Sequence, residues 1–365
     1  MSLPRMQTSL VQPLVPGPVD IVGDVHGEID ALLALLDHLG YAPDGTHPAG
    51  RHLVFVGDLV DRGPDSPAVV AKVRSLVANG AAQSVLGNHE LNLLRQSYKV
   101  GNRWFLGEAE ALDPGGPIIA QAFADPDTRR DMLAFFQTLP LVLERDDLCV
   151  VHACWSSVAV EQVRRYHSVV PLFQQAVQAI NEDLEQLAGN RDLSGFVARY
   201  GLTLPQAVAL FTGHDPAEGV DAELIVDAMT DTVGRGLVRQ NLNPVKLLTS
   251  GSEQRTGTAF YMNGRWRREQ RCRWWQTYTG PALCVFGHYW RHPLDQTSEH
   301  SVFGGIDPFS LLGDARRAMC VDYSVGKRYL ERLERPGQPF ERFLAALRYP
   351  EMLLMDDSGR VYPVR

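Results

Sequence analysis

Six side chains that can hold a metal stand at the ends of apolar runs: Asp24 and His26 in "DIVGDVHGEID", Asp58 in "VFVGDLVDRG", Asn88 in "SVLGNHE", His152 in "LCVVHA" and His288 in "CVFGHYW". Singly, each has an ordinary explanation, because Asp and Asn are turn and helix-cap residues and one DxH can arise by chance. A turn alone, however, leaves His26, His89 and Arg62 unexplained. Mixed imidazole and carboxylate ligation suits Mn, Fe or Zn better than the all-oxygen shell of calcium. Six groups exceed what one tetrahedral zinc uses, so two divalent ions are the simpler count. Two such ions about 3.5 to 4 Å apart form a clamp for in-line displacement at phosphorus.

These residues need strands to deliver them to one place. "VDIVG", "RHLVFVG" and "AAQSVLG" read as buried strands, and the helix-period segments "EIDALLALLDHLG", "SPAVVAKVRSLVANG" and "HELNLLRQ" follow them in turn. That alternation predicts a layered α/β architecture with a largely parallel sheet, whose ligands bind beyond the carboxyl ends of the strands. "DLCVVHA" and "ALCVFGHYW" repeat the pattern of an apolar run stopping at a histidine. Residues 1–18, with four prolines, are expected to form a flexible lead-in to a body spanning 19–365. A helical insertion is expected at about 156–245, bordering the cleft. The C-terminal pieces "AMCVDYSVG", "RYLERLE" and "LLMDDSGRVYPV" read as short strand-like segments.

Composition sets limits on the partners. The 365 residues carry a formal net charge of -8, which argues against a protein whose main task is holding nucleic acid. The five cysteines form no CxxC pair and mostly lie in apolar runs, as expected of free thiols in a reducing compartment. With no segment long and apolar enough for a signal sequence or membrane span, a cytoplasmic protein is expected.

In this order and at strand ends, "GDVHG", "GDLVDRG", "LGNHE", "VHA" and "FGH" resemble the five motifs of the calcineurin-like metallophosphoesterases. "GDxxDRG" with "GNHE" resembles more narrowly the phosphoprotein phosphatase branch, which includes bacterial diadenosine tetraphosphate hydrolases. The resemblance implies a β-sandwich of two mixed sheets flanked by helices. It further implies that Asp24 and His26 hold one metal, that Asp58 bridges both, and that Asn88, His152 and His288 complete the second, with manganese the first expectation and Fe or Zn the alternatives. A metal-bridging hydroxide would be the nucleophile. Arg62 would clamp the phosphoryl group together with Asn88, His89 would protonate the leaving group, and Asp61 would orient His89. Glu90 reads as a helix-start carboxylate with no catalytic role.

Two substrate classes fit these residues: phosphomonoesters, including phosphoproteins, and dinucleoside polyphosphates. Diesterases and nucleases of this kind often carry GHxH. Here Trp290 takes the position of the second histidine, and His292 lies two residues too far. Asp61 is shared with the protein phosphatases and favours the monoester, since a serine alkoxide needs a supported acid to leave. A non-catalytic binding module on the same fold would be expected to have lost a ligand or the clamp, and none is missing. "GRWRREQRCRWW", residues 264–275, is expected to be a strand pair with tryptophans in the core and arginines in water, the alternative being contact with substrate. Arg235, Arg255 and Arg291 are candidates for a second phosphate-binding arginine.

Overall fold

The computed structural model of the chain describes residues 9–107, 120–262, 265–292 and 301–365. The first six strands are β1 (Val11–Pro13), β2 (Val19–Val22), β3 (His52–Phe55), β4 (Ala82–Ser84), β5 (Val142–Glu144) and β6 (Leu148–Val151). A hairpin of β7 (Glu253–Met262) and β8 (Arg265–Arg271) precedes β9 (Leu283–Phe286), β10 (Ala318–Cys320), β11 (Ala345–Tyr349), β12 (Leu353–Asp356) and β13 (Val361–Pro363). Two mixed sheets result, one ordered β1-β5-β6-β9-β10 and the other β13-β12-β11-β2-β3-β4. β2, β3 and β4 are parallel, whereas β11 returns antiparallel beside β2, with Ala346 opposite Val22.

The apolar runs are continuous because both faces of these strands are covered. Val19, Ile21, Val54, Val150, Val285 and Met319 fill the space between the sheets. Their neighbours Val22, Phe55, Val151, Phe286 and Cys320 face outward and pack under the helices. Each large side chain so buried contributes about 1.5–3 kcal/mol. The sheet with β2 is covered by α1 (Ile29–Leu39), which buries Ala31, Leu32, Leu35, Leu36 and Leu39 and stops at Gly40 in the left-handed region. α2 (Ser66–Ala78) is capped by the Asp65 carboxylate, which accepts from the Ala68 amide. α3 (Asn88–Leu94) starts directly after the loop that follows β4.

Two sequence expectations are corrected here. The lead-in is not flexible up to residue 18: residues 1–8 lie outside the described residues, but Leu10, Val11 and Leu14 are buried and β1 pairs in parallel with β5. Proline is compatible with that position because β1 is an edge strand, where a missing N–H costs no ladder bond. "RYLERLE" is helical over Arg328–Glu334, not strand-like. Its charged residues find partners on one side, with Glu331 bound to Arg342 and Arg332 gripping buried Glu28 through two 2.6 Å hydrogen bonds.

Helices run from Ser157–Val163 to Pro244–Ser250 and lead into the β7–β8 hairpin. Much of this layer has its own core, including Leu184, Phe196, Phe211, Ile225 and Val238. It joins the main core through Phe173, Val245 and Leu248. The Leu248 carbonyl accepts from the amide of Ala153, the residue after His152, so the layer abuts one of the candidate ligand loops. In the Arg/Trp stretch, Trp274 and Trp275 are buried while Trp266 is 71% exposed. Gly264 lies outside the described residues.

Candidate metal centre

Three of the candidate ligands, His26, Asp58 and His288, leave the ends of strands in the left-handed region. His26, Asp58, Asp61, Arg62, His288 and Trp290 all have φ between 46° and 71°, a region costly for residues with a side chain. The surroundings enforce it. The amides of Val25 and His26 donate to the Asp58 carbonyl, which locks the loop after β2 to the loop after β3. Buried Glu90 fixes the second loop from the other side. Its Oε2 accepts from Gly87 and Asp58 amides, both at 3.0 Å, and its Oε1 from Leu59 and Val60 at 2.8 and 3.3 Å. Gly87 admits this approach because a Cβ there would collide with Asp58 and the Glu90 carboxylate.

The six predicted residues meet around Asp58. Its Oδ2 lies 3.7 Å from His26 Nε2 and 3.8 Å from His89 Nε2, and its Oδ1 lies 3.3 Å from His152 Nε2. His152 Nε2 is also 3.2 Å from Asn88 Oδ1. His288 joins through its ring, 5.2 Å from that of His152. Asp24 sits 3.9 Å from His26, and its carboxylate accepts the backbone N–H of His288 at 3.0 Å. Two groups have ligand atoms close enough to share an ion: His26, Asp58 and His89, and Asp58, His152 and His288. Asp58 is common to both.

The histidine tautomers suit cation binding. His26 Nδ1 donates to the Val60 carbonyl at 2.9 Å and His152 Nδ1 to the Val56 carbonyl at 2.7 Å, which turns each Nε2 toward Asp58. Burial, helped by Arg62 and His89, holds His26 well below its usual range. Burial and Arg271 do the same for His288. Burial would also lower His152, but Asp58 and Asp24 outweigh it and push it up to about 10. Burial and the negative charge of Asp322 hold Asp24 well above the carboxylate range. Buried carboxylate oxygens and imidazole nitrogens thus converge around Asp58, a donor set that fits divalent metal and whose protons a metal would displace.

Around this cluster lie the groups that could handle substrate. Arg62 reaches His26 Nε2 at 2.8 Å and His89 Nε2 at 3.3 Å. His89 Nδ1 donates to Asp61 Oδ2 at 2.6 Å, while Asp61 Oδ1 accepts from Asn102 Nδ2 at 2.8 Å and Trp104 Nε1 at 2.6 Å. Burial works against a charged His89, but Asp58 and the bond to Asp61 prevail and raise its pKa. Trp290 is a platform for three cations: Lys327 at 4.4 Å, Arg62 at 4.6 Å and Arg271 at 5.8 Å from its ring centre.

None of the three arginines suggested as a second clamp comes to this place. Arg235 binds Glu185, Arg255 binds Asp231 and backbone carbonyls within the helical layer, and Arg291 is buried against the carbonyls of Asp307 and Ser310. Arg271 of β8 does, donating to the His288 carbonyl at 2.9 Å. Lys327 and Asp322 were not among the expected site residues either. Asp322, whose Oδ2 accepts the Trp290 amide at 2.8 Å, had a signal: "AMCVD" is one more apolar run ending in a carboxylate.

A model of the calcineurin-like phosphoesterases matches residues 17–217, more than half of the 365. The chain belongs to that family. The family's description is that of phosphoesterases, and it implies divalent metal. The chain's curated relatives include an asymmetrical bis(5'-nucleosyl)-tetraphosphatase PrpE from Bacillus velezensis, 33% identical over 167 residues, which are 42% of this chain and 62% of that protein. The enzyme of the same name from Halalkalibacterium halodurans is 47% identical over 87 residues, 23% of this chain and 35% of that protein. The chain therefore spans less than two thirds of either relative. A cold-active protein-tyrosine phosphatase from a Shewanella species aligns over 100% of this phosphoesterase and 87% of its own chain at 15% identity, with a TM-score of 0.43, too loose a likeness to bear on function. Among the described residues no helix is long and apolar enough to cross a membrane.

Proposed function

We propose that this phosphoesterase hydrolyses the phosphoanhydride bonds of dinucleoside polyphosphates at a pair of divalent metals. Asp24, His26 and Asp58 would hold one ion, and Asp58, Asn88, His152 and His288 the other. When bound, the metals supply a water-derived nucleophile at neutral pH and neutralise charge on the phosphoryl oxygens.

The observation that carries the reading is the grouping of Arg62, Arg271 and Lys327 on Trp290 beside the ligand cluster. Three cations on one wall suit a chain of phosphates, whose charge runs on past the reacting phosphorus. The tetraphosphatase names of the relatives point the same way. Arg62 would orient the phosphoryl group, and His89, the least buried histidine of the cluster, would give its proton to the departing bridging oxygen as the P–O bond breaks. The tight bond of Asp61 to His89 supports a second reading, a phosphomonoesterase, because only a poor leaving group needs so well supported an acid.

Side-by-side kinetics on the manganese-loaded protein with diadenosine tetraphosphate, a phosphoserine peptide and bis-p-nitrophenyl phosphate separate these. The proposal expects kcat/KM for the dinucleotide to exceed the other two by about tenfold or more, equivalent to about 1.4 kcal/mol of extra transition-state binding. Preference for the phosphopeptide would reject it in favour of the second reading.

A further inference from the structure

Asn88 and Asn92 follow one another at helical spacing on one side of α3, and Arg95 caps its end. Asn88 looks into the metal-ligand cluster. Asn92 and Arg95 line a cavity of about 720 Å³ between α3 and the helical layer. At 1.5 Å of rise per residue, roughly 10 Å of helix separates the two places. The cavity lies within the roughly 300–1,000 Å³ range of small-ligand sites and is larger than a lone phosphate requires.

Its walls are strongly cationic. Arg95, Lys99, Arg239 and Lys246 line it against one carboxylate, Glu182, in a chain whose net charge is -8. Burial opposes the charge on Lys246 most, and Arg95, Arg239 and Lys99 add to that opposition, while Glu253 works the other way. Like charges gathered in a partly desolvated place destabilise the fold unless an anion joins them. Two of the cations are also fixed in position. The Arg95 guanidinium lies 3.4 Å from the centre of the Phe173 ring, and Asn181 Oδ1 accepts from Arg239 Nε at 2.7 Å without neutralising it. Fixed cations around a cavity of this size meet the charge of a nucleotide's phosphates.

We infer that this cavity is a nucleotide-phosphate subsite. Resting on the function proposed above, it takes the distal nucleotide of a dinucleoside polyphosphate while the reacting phosphate sits at the metal cluster. α3 then spans both ends of the substrate, with Asn88 at one and Arg95 at the other.

The test is amine-reactive labelling of the metal-loaded full chain, read by mass spectrometry with and without ADP. ADP is expected to slow modification of Lys99 and Lys246 by about threefold or more, as for a site filled two thirds of the time. In Lys246→Gln, and separately in Lys99→Glu at an exposed position, the ratio of kcat/KM for diadenosine tetraphosphate to that for p-nitrophenyl phosphate is expected to fall about tenfold. If ADP protects both lysines but the parent protein does not cleave the dinucleotide, the subsite stands and the proposed substrate falls. If the dinucleotide is cleaved, neither lysine is protected and neither variant shifts the ratio, the inference is overturned.

Discussion

Asp61→Asn isolates the charge behind His89 from the contacts that hold the loop. Asp61 makes three side-chain hydrogen bonds, two on Oδ1 from Asn102 and Trp104 and one on Oδ2 from His89. An asparagine placed with its carbonyl at Oδ1 keeps the first two, so buried Trp104 and Asn102 stay paired and the fold should persist. At Oδ2 an NH2 now faces His89 Nδ1, which must turn acceptor, and the imidazolium loses its anionic partner. A hydrogen bond to a charged group is worth about 1.5–3 kcal/mol, so transfer of the His89 proton should slow by roughly 10- to 150-fold. The loss should track the leaving group: large for alkyl and phenyl phosphates, small for p-nitrophenyl phosphate, whose anion departs unaided. Because Asp61 helps to raise the His89 pKa, the variant should also lose activity at lower pH than the parent on the alkaline side. The assay is kcat for a series of aryl phosphates at several pH values. An equal drop for good and poor leaving groups would refute the role of His89 as acid and leave Asp61 a structural part of the loop.

Three further perturbations test other parts of the site and fold. Asp58→Asn removes the shared carboxylate, and metal content measured by plasma mass spectrometry should fall below that of the parent, with manganese-stimulated turnover reduced by about 10³-fold or more; full metal content would exclude a bridging role. Trp290→Ala withdraws the platform under Arg62 and Lys327, and KM for diadenosine tetraphosphate should rise about 3- to 30-fold, cation–π contacts being worth about 0.5–2 kcal/mol; an unaltered KM would detach this wall from the substrate. Replacing buried Leu10, Val11 and Leu14 together by alanine should cost about 4–9 kcal/mol by denaturant titration, and an unchanged midpoint would deny β1 a part in the core.

The cluster around Asp58 was legible because each of its members sits where an apolar run stops, a pattern that gains force only when the segments around Asp24, Asp58, Asn88, His152 and His288 are read together. The β-α alternation foretold β2, α1, β3, α2, β4 and α3 for the same reason. The cations on Trp290 were not legible. Arg271 comes from a hairpin and Lys327 from a loop after β10, and neither has a spacing relation to the motifs they join in space. Glu90 looked like a helix-start residue because its role lies in four backbone amides, which sequence does not display. The lead-in was misread because its prolines signal irregular chain, although an edge strand tolerates them. Asp61 leaned the substrate toward monoesters, whereas the grouped cations favour the polyphosphate.

The pairing of β11 with β2 has a consequence for how the protein comes into being. β2 carries the loop with Asp24 and His26, yet its neighbour on one side is made more than 300 residues later. At about 5–20 residues per second, a ribosome leaves that edge of β2 without its partner for roughly 15–60 s. Over that interval the nascent chain exposes an apolar strand edge, a template for mispairing with other chains. Metal capture in the cell is therefore expected to be a late, post-translational event.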